Sequence, residues 1–161
     1  MPHPPHNGPL DGHQAARIGM SAACRDMAEY LAAHVPTTSD HGLTPGDWAD
    51  FAIRVRHMSL EIAFLAYTLE RMRNTPDNTI ADHLGIPTAT VTGDYGHADL
   101  SHLADGPAQP VWDILTQTAL GPTATAPTPA AAAGELDEWY RSWRQPGEHT
   151  APPARAVTAH L

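Results

Sequence analysis

The chain has 161 residues, of which 42% are hydrophobic, and this fits one domain of ordinary size with additional terminal segments. Its formal net charge of −9 repels nucleic acid at long range, so any contact with DNA requires a local basic patch. The single cysteine, Cys24, excludes an internal disulfide, and no apolar run is long enough to cross a membrane. No secretory signal is evident, so a cytoplasmic location is expected.

The first helix is predicted from Gln14 to Val35, after a proline-rich leader at residues 1–13 that is predicted to be disordered. Apolar residues recur along this helix at intervals of four, three and four: Met20, Cys24, Met27 and Leu31. This spacing places them on one helix face, which predicts that they face the core. Cys24 is therefore interpreted as a core thiol, not as a nucleophile.

The strongest periodic signal lies between Asp47 and Arg73. Large apolar residues alternate there at intervals of three and four without a break: Trp48, Phe51, Val55, Met58, Ile62, Leu65, Leu69 and Met72. The pattern predicts one long amphipathic helix. Its apolar seam suits packing against the first helix of the same chain, and it also suits the contact of a homodimer.

The stretch from Thr79 to Tyr95 contains a small residue, a glycine and an aliphatic residue at a spacing that suits two short helices joined by a turn. Ala81 is followed after four residues by Gly85, and after six more by Val91. Two short helices that cross steeply need a small side chain at their contact and a turn residue that tolerates positive φ. Ile80, Leu84 and Ile86 supply apolar packing around that contact.

This pattern resembles the helix-turn-helix units of bacterial, actinobacterial-type transcription regulators, over about twenty residues. The resemblance implies that the second helix would lie in the major groove of DNA. The residues that would contact bases or phosphates are Thr88, Ala89, Thr92, Arg71, Arg73, Asn78 and Thr79.

The remaining segments are a short helix, a linker, a final helix and a tail. Residues 110–120 are predicted to close a helical domain that begins at residue 14, and residues 121–134 read as a Pro/Ala-rich linker. Residues 135–144 predict a short amphipathic helix whose aromatic face contains Trp139, Tyr140 and Trp143. Such a face suits docking onto a protein partner. Residues 145–161 are predicted to be a disordered tail.

The sequence thus predicts an all-α fold and two alternative functions. The first is a DNA-binding transcriptional regulator, as the resemblance implies. The second is an acidic adaptor that binds a protein through its C-terminal aromatic helix, because residues 76–99 contain four aspartates and neither arginine nor lysine. No spacing typical of a catalytic, metal or cofactor site is found, so the chain is not expected to be an enzyme.

Overall fold

The fold consists of packed α-helices, as predicted. A computed structural model describes residues 8–34, 44–95, 99–120, 126–143 and 157, without the side chains of Tyr95 and Trp143. These residues form α1 (Gly12–Ala33), α2 (Asp47–Met72), α3 (Asp77–Leu84), α4 (Thr88–Tyr95), a 3-10 turn (Ser101–Leu103), α5 (Ala108–Thr118) and α6 (Pro129–Trp143). None of the described helices combines the length and hydropathy needed to cross a lipid bilayer.

Helix α1 begins with a reciprocal capping box that lies inside the predicted leader. The Asp11 carboxylate accepts a hydrogen bond from the Gln14 amide at 2.8 Å, and the Gln14 side chain accepts one from the Asp11 amide at 3.0 Å. These two bonds satisfy donors that a helix start leaves unpaired. Residues 8–13 therefore belong to the folded structure, whereas residues 1–7 of the predicted leader lie outside the described residues.

The core-facing side of α1 differs from the predicted one because it is made of small residues. Met20 and Met27 are half-buried, and Cys24 and Leu31 are exposed, so the prediction of a core thiol is wrong. The buried face instead contains Ala15, Ala16, Ile18, Gly19, Ala22 and Ala23. Small side chains let α1 lie close to α2 and α5, and a Cβ at Gly19 would stand only 3.2 Å from Cδ1 of Leu115.

The long helix α2 uses the C-terminal part of its predicted seam to pack within the chain. Met58, Leu65 and Met72 are buried, and α2 contacts α1 along its length. Towards the N-terminal end the seam opens to solvent, where Trp48 keeps 51% of its surface exposed beside Phe51. Packing within the chain thus occupies the C-terminal part of the seam that the homodimer alternative would have used.

Helices α5 and α6 close the main core from the C-terminal side. Val111, Trp112 and Leu115 of α5 are fully buried, and the Trp112 indole donates a hydrogen bond to the Ala126 carbonyl at 3.1 Å. Leu136 of α6 packs into the same core.

The last helix begins earlier than the sequence analysis places it. It starts at Pro129, after Thr128, whose hydroxyl accepts a hydrogen bond from the Ala131 amide. Residues 129–134 are therefore helical and are not part of a linker, and residues 121–125 lie outside the described residues. Of the predicted tail only Val157 is described, and it packs against the core.

Candidate interaction site

The α3–α4 unit has its own small apolar cluster, separate from the main core. Ile80, Ala81 and Val91 are buried there beneath Tyr67 of α2. Gly85 ends α3 in the left-handed conformation, with φ of 67°, and the next helix begins three residues later. Ile80, Ala81 and Val91 and the turn glycine therefore occupy the expected places. Leu84 does not, because it keeps 53% of its surface exposed instead of packing in this cluster. The Thr75 hydroxyl, just before α3, donates a hydrogen bond to Glu70 at 2.7 Å.

Replacing Gly85 with alanine is expected to lower the free energy of unfolding by about 1–2 kcal/mol, because an L side chain strains a left-handed backbone. A Cβ at this position would meet no atom within 4 Å, so backbone strain is the whole effect. Gly93 is the matched control: its Cβ also meets nothing, but its φ is not in the left-handed region. Gly93→Ala is expected to be neutral or stabilising. Equal denaturation midpoints for the two variants would contradict this explanation.

Arg71, a predicted phosphate contact, is held by two carboxylates. Its guanidinium lies 3.2 Å from Oδ1 of Asp77 and 2.8 Å from Oδ2 of Asp99, and the three side chains are each about a quarter exposed. Hydrogen bonds from Ser101 and the Arg71 contact together lower the pKa of Asp99 to about 2. The arrangement ties α2 to the start of α3 and to the segment after α4, and it leaves Arg71 with no spare positive charge.

The other predicted DNA contacts are only partly available. Arg73 is exposed and lies 3.8 Å from Glu70, and Thr79 is half-buried. The Thr92 hydroxyl lies within hydrogen-bond distance of Asp77 Oδ2, at 3.2 Å, and of the Thr88 carbonyl. Thr88, Ala89 and Asn78 are exposed. Exposed Asp82 and Asp94 lie on the same unit, so its solvent face is acidic over the described residues.

An apolar groove of about 420 Å³ lies between α2 and α3, and the sequence analysis did not predict it. Its apolar lining includes Ala63, Ala66, Tyr67, Ile80 and Leu84. The polar side chains of Glu70 and His83 also line it. Leu84 keeps 53% of its surface exposed at this groove. The signal in the sequence is the pair Ala63 and Ala66, because small residues on a helix leave space beside a neighbouring helix.

The apolar surface continues from the groove along α2. Ile53 and Leu60 are 54% and 50% exposed, and they are seven residues apart on the helix. Residues at this spacing lie on nearly the same side of a helix. Tyr67, seven residues after Leu60, lines the groove but is itself only 3% exposed. Groove and stripe together form what we call the α2 open face: Ile53, Arg56, Leu60, Ala63, Ala66, Tyr67, Glu70 and Leu84.

The aromatic face predicted for the C-terminal helix is divided between core and solvent. Trp139 is half-buried, Tyr140 is 38% exposed, and the side chain of Trp143 lies outside the described residues. Asp137 on this helix is buried and accepts a hydrogen bond from the Val157 amide at 2.6 Å. Since Leu136 also points into the core, α6 is docked on its own domain over much of its length.

Within the described parts of the chain, no group of three His, Cys, Asp or Glu side chains is placed to hold a metal ion. The exposed Cys24 has its thiol pKa raised by partial burial, which disfavours the reactive thiolate. Comparison with known proteins adds no identification: no family model, no curated protein and no solved structure matches this chain.

Proposed function

We propose that this chain is a helical protein-interaction module whose contact surface is the α2 open face. The observation that carries the proposal is the apolar groove between α2 and α3, bordered by the half-exposed Leu84. Ile53 and Leu60 add exposed apolar side chains on the same side of α2, and exposed apolar patches with polar borders are typical of protein contact sites. Apolar grooves between helices are a common docking site for an amphipathic helix of a partner protein.

Electrostatics support a protein ligand over nucleic acid. Arg71 is engaged by Asp77 and Asp99, and exposed Asp82 and Asp94 face solvent on the α3–α4 unit. A phosphate backbone approaching α4 would meet these carboxylates, and phosphate contacts supply most of the affinity of DNA-binding proteins. In this proposal the α3–α4 unit supports one wall of the groove.

The test uses a photo-crosslinking amino acid placed at Leu84, with Gln117 as the matched control. Both positions are exposed on helices, but Gln117 lies on α5, away from the groove. Irradiation in extract of the native cells is expected to yield a discrete protein adduct from position 84 and none from position 117. The captured protein is then purified and must bind the full chain directly, more weakly when Leu84 is replaced with glutamate. Identical adducts at both positions would refute the proposal.

DNA binding is the second candidate, and the exposed start of α4 favours it. Thr88 and Ala89 are exposed there, after a three-residue turn of the kind that the resemblance to helix-turn-helix units implies. This candidate expects retention of the chain by a random DNA pool, with affinity that falls steeply as salt rises. Thr88→Asp and Arg73→Ala should each weaken such retention. No retention at low salt would remove this candidate.

A further inference from the structure

We propose that the partner on the α2 open face is a second copy of this chain, with the two α2 helices antiparallel and Ala63 at the two-fold axis. This inference rests on the proposed function in one respect, namely that the open face is a protein contact. It differs from the homodimer that the sequence suggested, because the seam of Met58, Leu65 and Met72 is buried inside the chain.

The open face carries one positive and one negative side chain that can pair with those of an identical face on a second copy. Arg56 lies in the N-terminal half of α2, exposed, and no carboxylate of the described residues lies within 4 Å of its guanidinium. Glu70 lies in the C-terminal half, at the groove, where one carboxylate oxygen accepts a hydrogen bond from the Thr75 hydroxyl and the other lies 3.8 Å from Arg73. Ala63 is midway between them in the sequence. An antiparallel pair centred on Ala63 therefore brings Arg56 of each copy opposite Glu70 of the other, and both ion pairs form at once.

Leu60 and the groove fit the same register. Leu60 of one copy comes opposite Ala66 of the other, which lines the groove, so an exposed leucine meets an open apolar site. The half-exposed Leu84 borders that site. At the axis, Ala63 faces its own copy, and a side chain this small lets two helix backbones approach closely. One register thus satisfies the charges, the groove and the close approach together.

The length of the face is adequate for a stable pair. From Ile53 to Glu70 it extends about 25 Å along the helix axis. Specific interfaces bury about 800 Å² per partner, and the half-exposed Leu84 of α3 adds to the area that α2 supplies. The two-fold arrangement also uses the same surface on both copies, as a closed dimer requires.

Sedimentation equilibrium of the purified full chain, over about a hundredfold range of concentration, tests the inference. A monomer–dimer equilibrium is expected. Arg56→Glu and Glu70→Arg should each raise the dimer dissociation constant about tenfold or more, and the double variant should recover most of that loss. Arg54→Glu, an equal charge change away from the open face, is the control and should leave the constant unchanged. Circular dichroism checks that each variant retains its helices.

Cysteine crosslinking tests the orientation in a Cys24→Ser background. Oxidation is expected to join two copies through Ala63→Cys but not through Ile53→Cys, because two Ile53 positions are about 30 Å apart in the antiparallel pair. Equal crosslinking at both positions would indicate parallel helices and overturn the register. If the chain is purely monomeric in the sedimentation experiment, the proposal that its partner is a second copy is refuted. If that monomer still captures another protein at Leu84, the proposed function stands and only this inference is lost.

Discussion

Gly12→Ala is expected to lower the free energy of unfolding by about 3 kcal/mol, a large effect for the addition of one methyl group. A Cβ at Gly12 would overlap the carbonyl oxygen of Leu103 and stand 3.0 Å from Cγ2 of Val111. The first of these neighbours is backbone, so it cannot turn away as a flexible side chain would. The start of α1 would have to move outward.

That movement would also break hydrogen bonds that complete the first turn of α1. The Gly12 amide donates to the Gly106 carbonyl at 2.9 Å, and the His13 amide donates to the Ala104 carbonyl at 3.0 Å. Helix starts leave such amides without intrahelical partners, and losing their partners while buried adds to the cost of overlap. The segment after the 3-10 turn therefore acts as the cap of α1 together with Asp11.

Gly134→Ala provides the matched control for Gly12→Ala. Gly134 lies inside α6, and a Cβ there would meet no atom within 4 Å. Alanine is the better helix former, so this variant is expected to be neutral or to gain about 0.5–1 kcal/mol. Chemical denaturation monitored by circular dichroism gives both values. Similar midpoints for the two variants would show that the contact between Gly12 and Leu103 is not tight.

The elements with strong local signals were predictable from the sequence. The unbroken spacing along α2 predicts one long helix, and its bounds of Asp47 and Met72 differ from the prediction by one residue. Ala81, Gly85 and Val91 predict the packing of α3 on α4, because each position has a local steric requirement. Local periodicity and turn chemistry are sufficient in these cases.

The capping signals were present in the sequence but were hidden by composition. Asp11 and Gln14 have the spacing of a capping box, inside a segment that its prolines marked as a leader. Thr128 and Pro129 are a suitable N-cap and first helical residue, followed by alanines that favour helix. In both places the proline- and alanine-rich composition predicts an unstructured segment, and this prediction outweighed the capping signal.

The parts that could not be predicted depend on contacts between distant residues. Alanines lie on every side of α1, so periodicity could not indicate that the small-residue face, and not the methionine face, is buried. Arg71 and Asp99 are 28 residues apart in the chain, and no local pattern links them. The groove arises only when α3 packs beside Ala63 and Ala66. These tertiary contacts determine which arginine is engaged and which apolar surface remains open, and so they determine the proposed function.

Arg71→Met is the second change with a large expected effect, a loss of about 2 kcal/mol in the free energy of unfolding. The variant keeps the aliphatic stem but leaves Asp77 and Asp99 facing each other without a cation. Breaking a fully buried pair costs about 3–5 kcal/mol and breaking an exposed one costs about 0–1, so these partly buried carboxylates fall between the two. Arg73→Met is the control: the Arg73 ion pair with Glu70 is 3.8 Å long and exposed, and the expected effect is within about 0.5 kcal/mol.

The pH dependence of the free energy of unfolding under acidic conditions distinguishes the contribution of the ion pair from that of side-chain packing. Hydrogen bonds from Ser101, together with Arg71, lower the pKa of Asp99 from its ordinary 3.8 to about 2. A lowered folded-state pKa stabilises the protein above about pH 4, and that contribution disappears as pH falls towards 2. Because Asp99 is partly exposed, we expect it to be about 1 kcal/mol after screening by solvent. In Arg71→Met, the free energy of unfolding should fall less between about pH 4 and pH 2 than in the wild type. In Arg73→Met, it should fall as much as in the wild type. Denaturation midpoints measured from pH 5 to about pH 2 decide the question, and parallel curves for wild type and Arg71→Met would assign the lowered pKa to Ser101 alone.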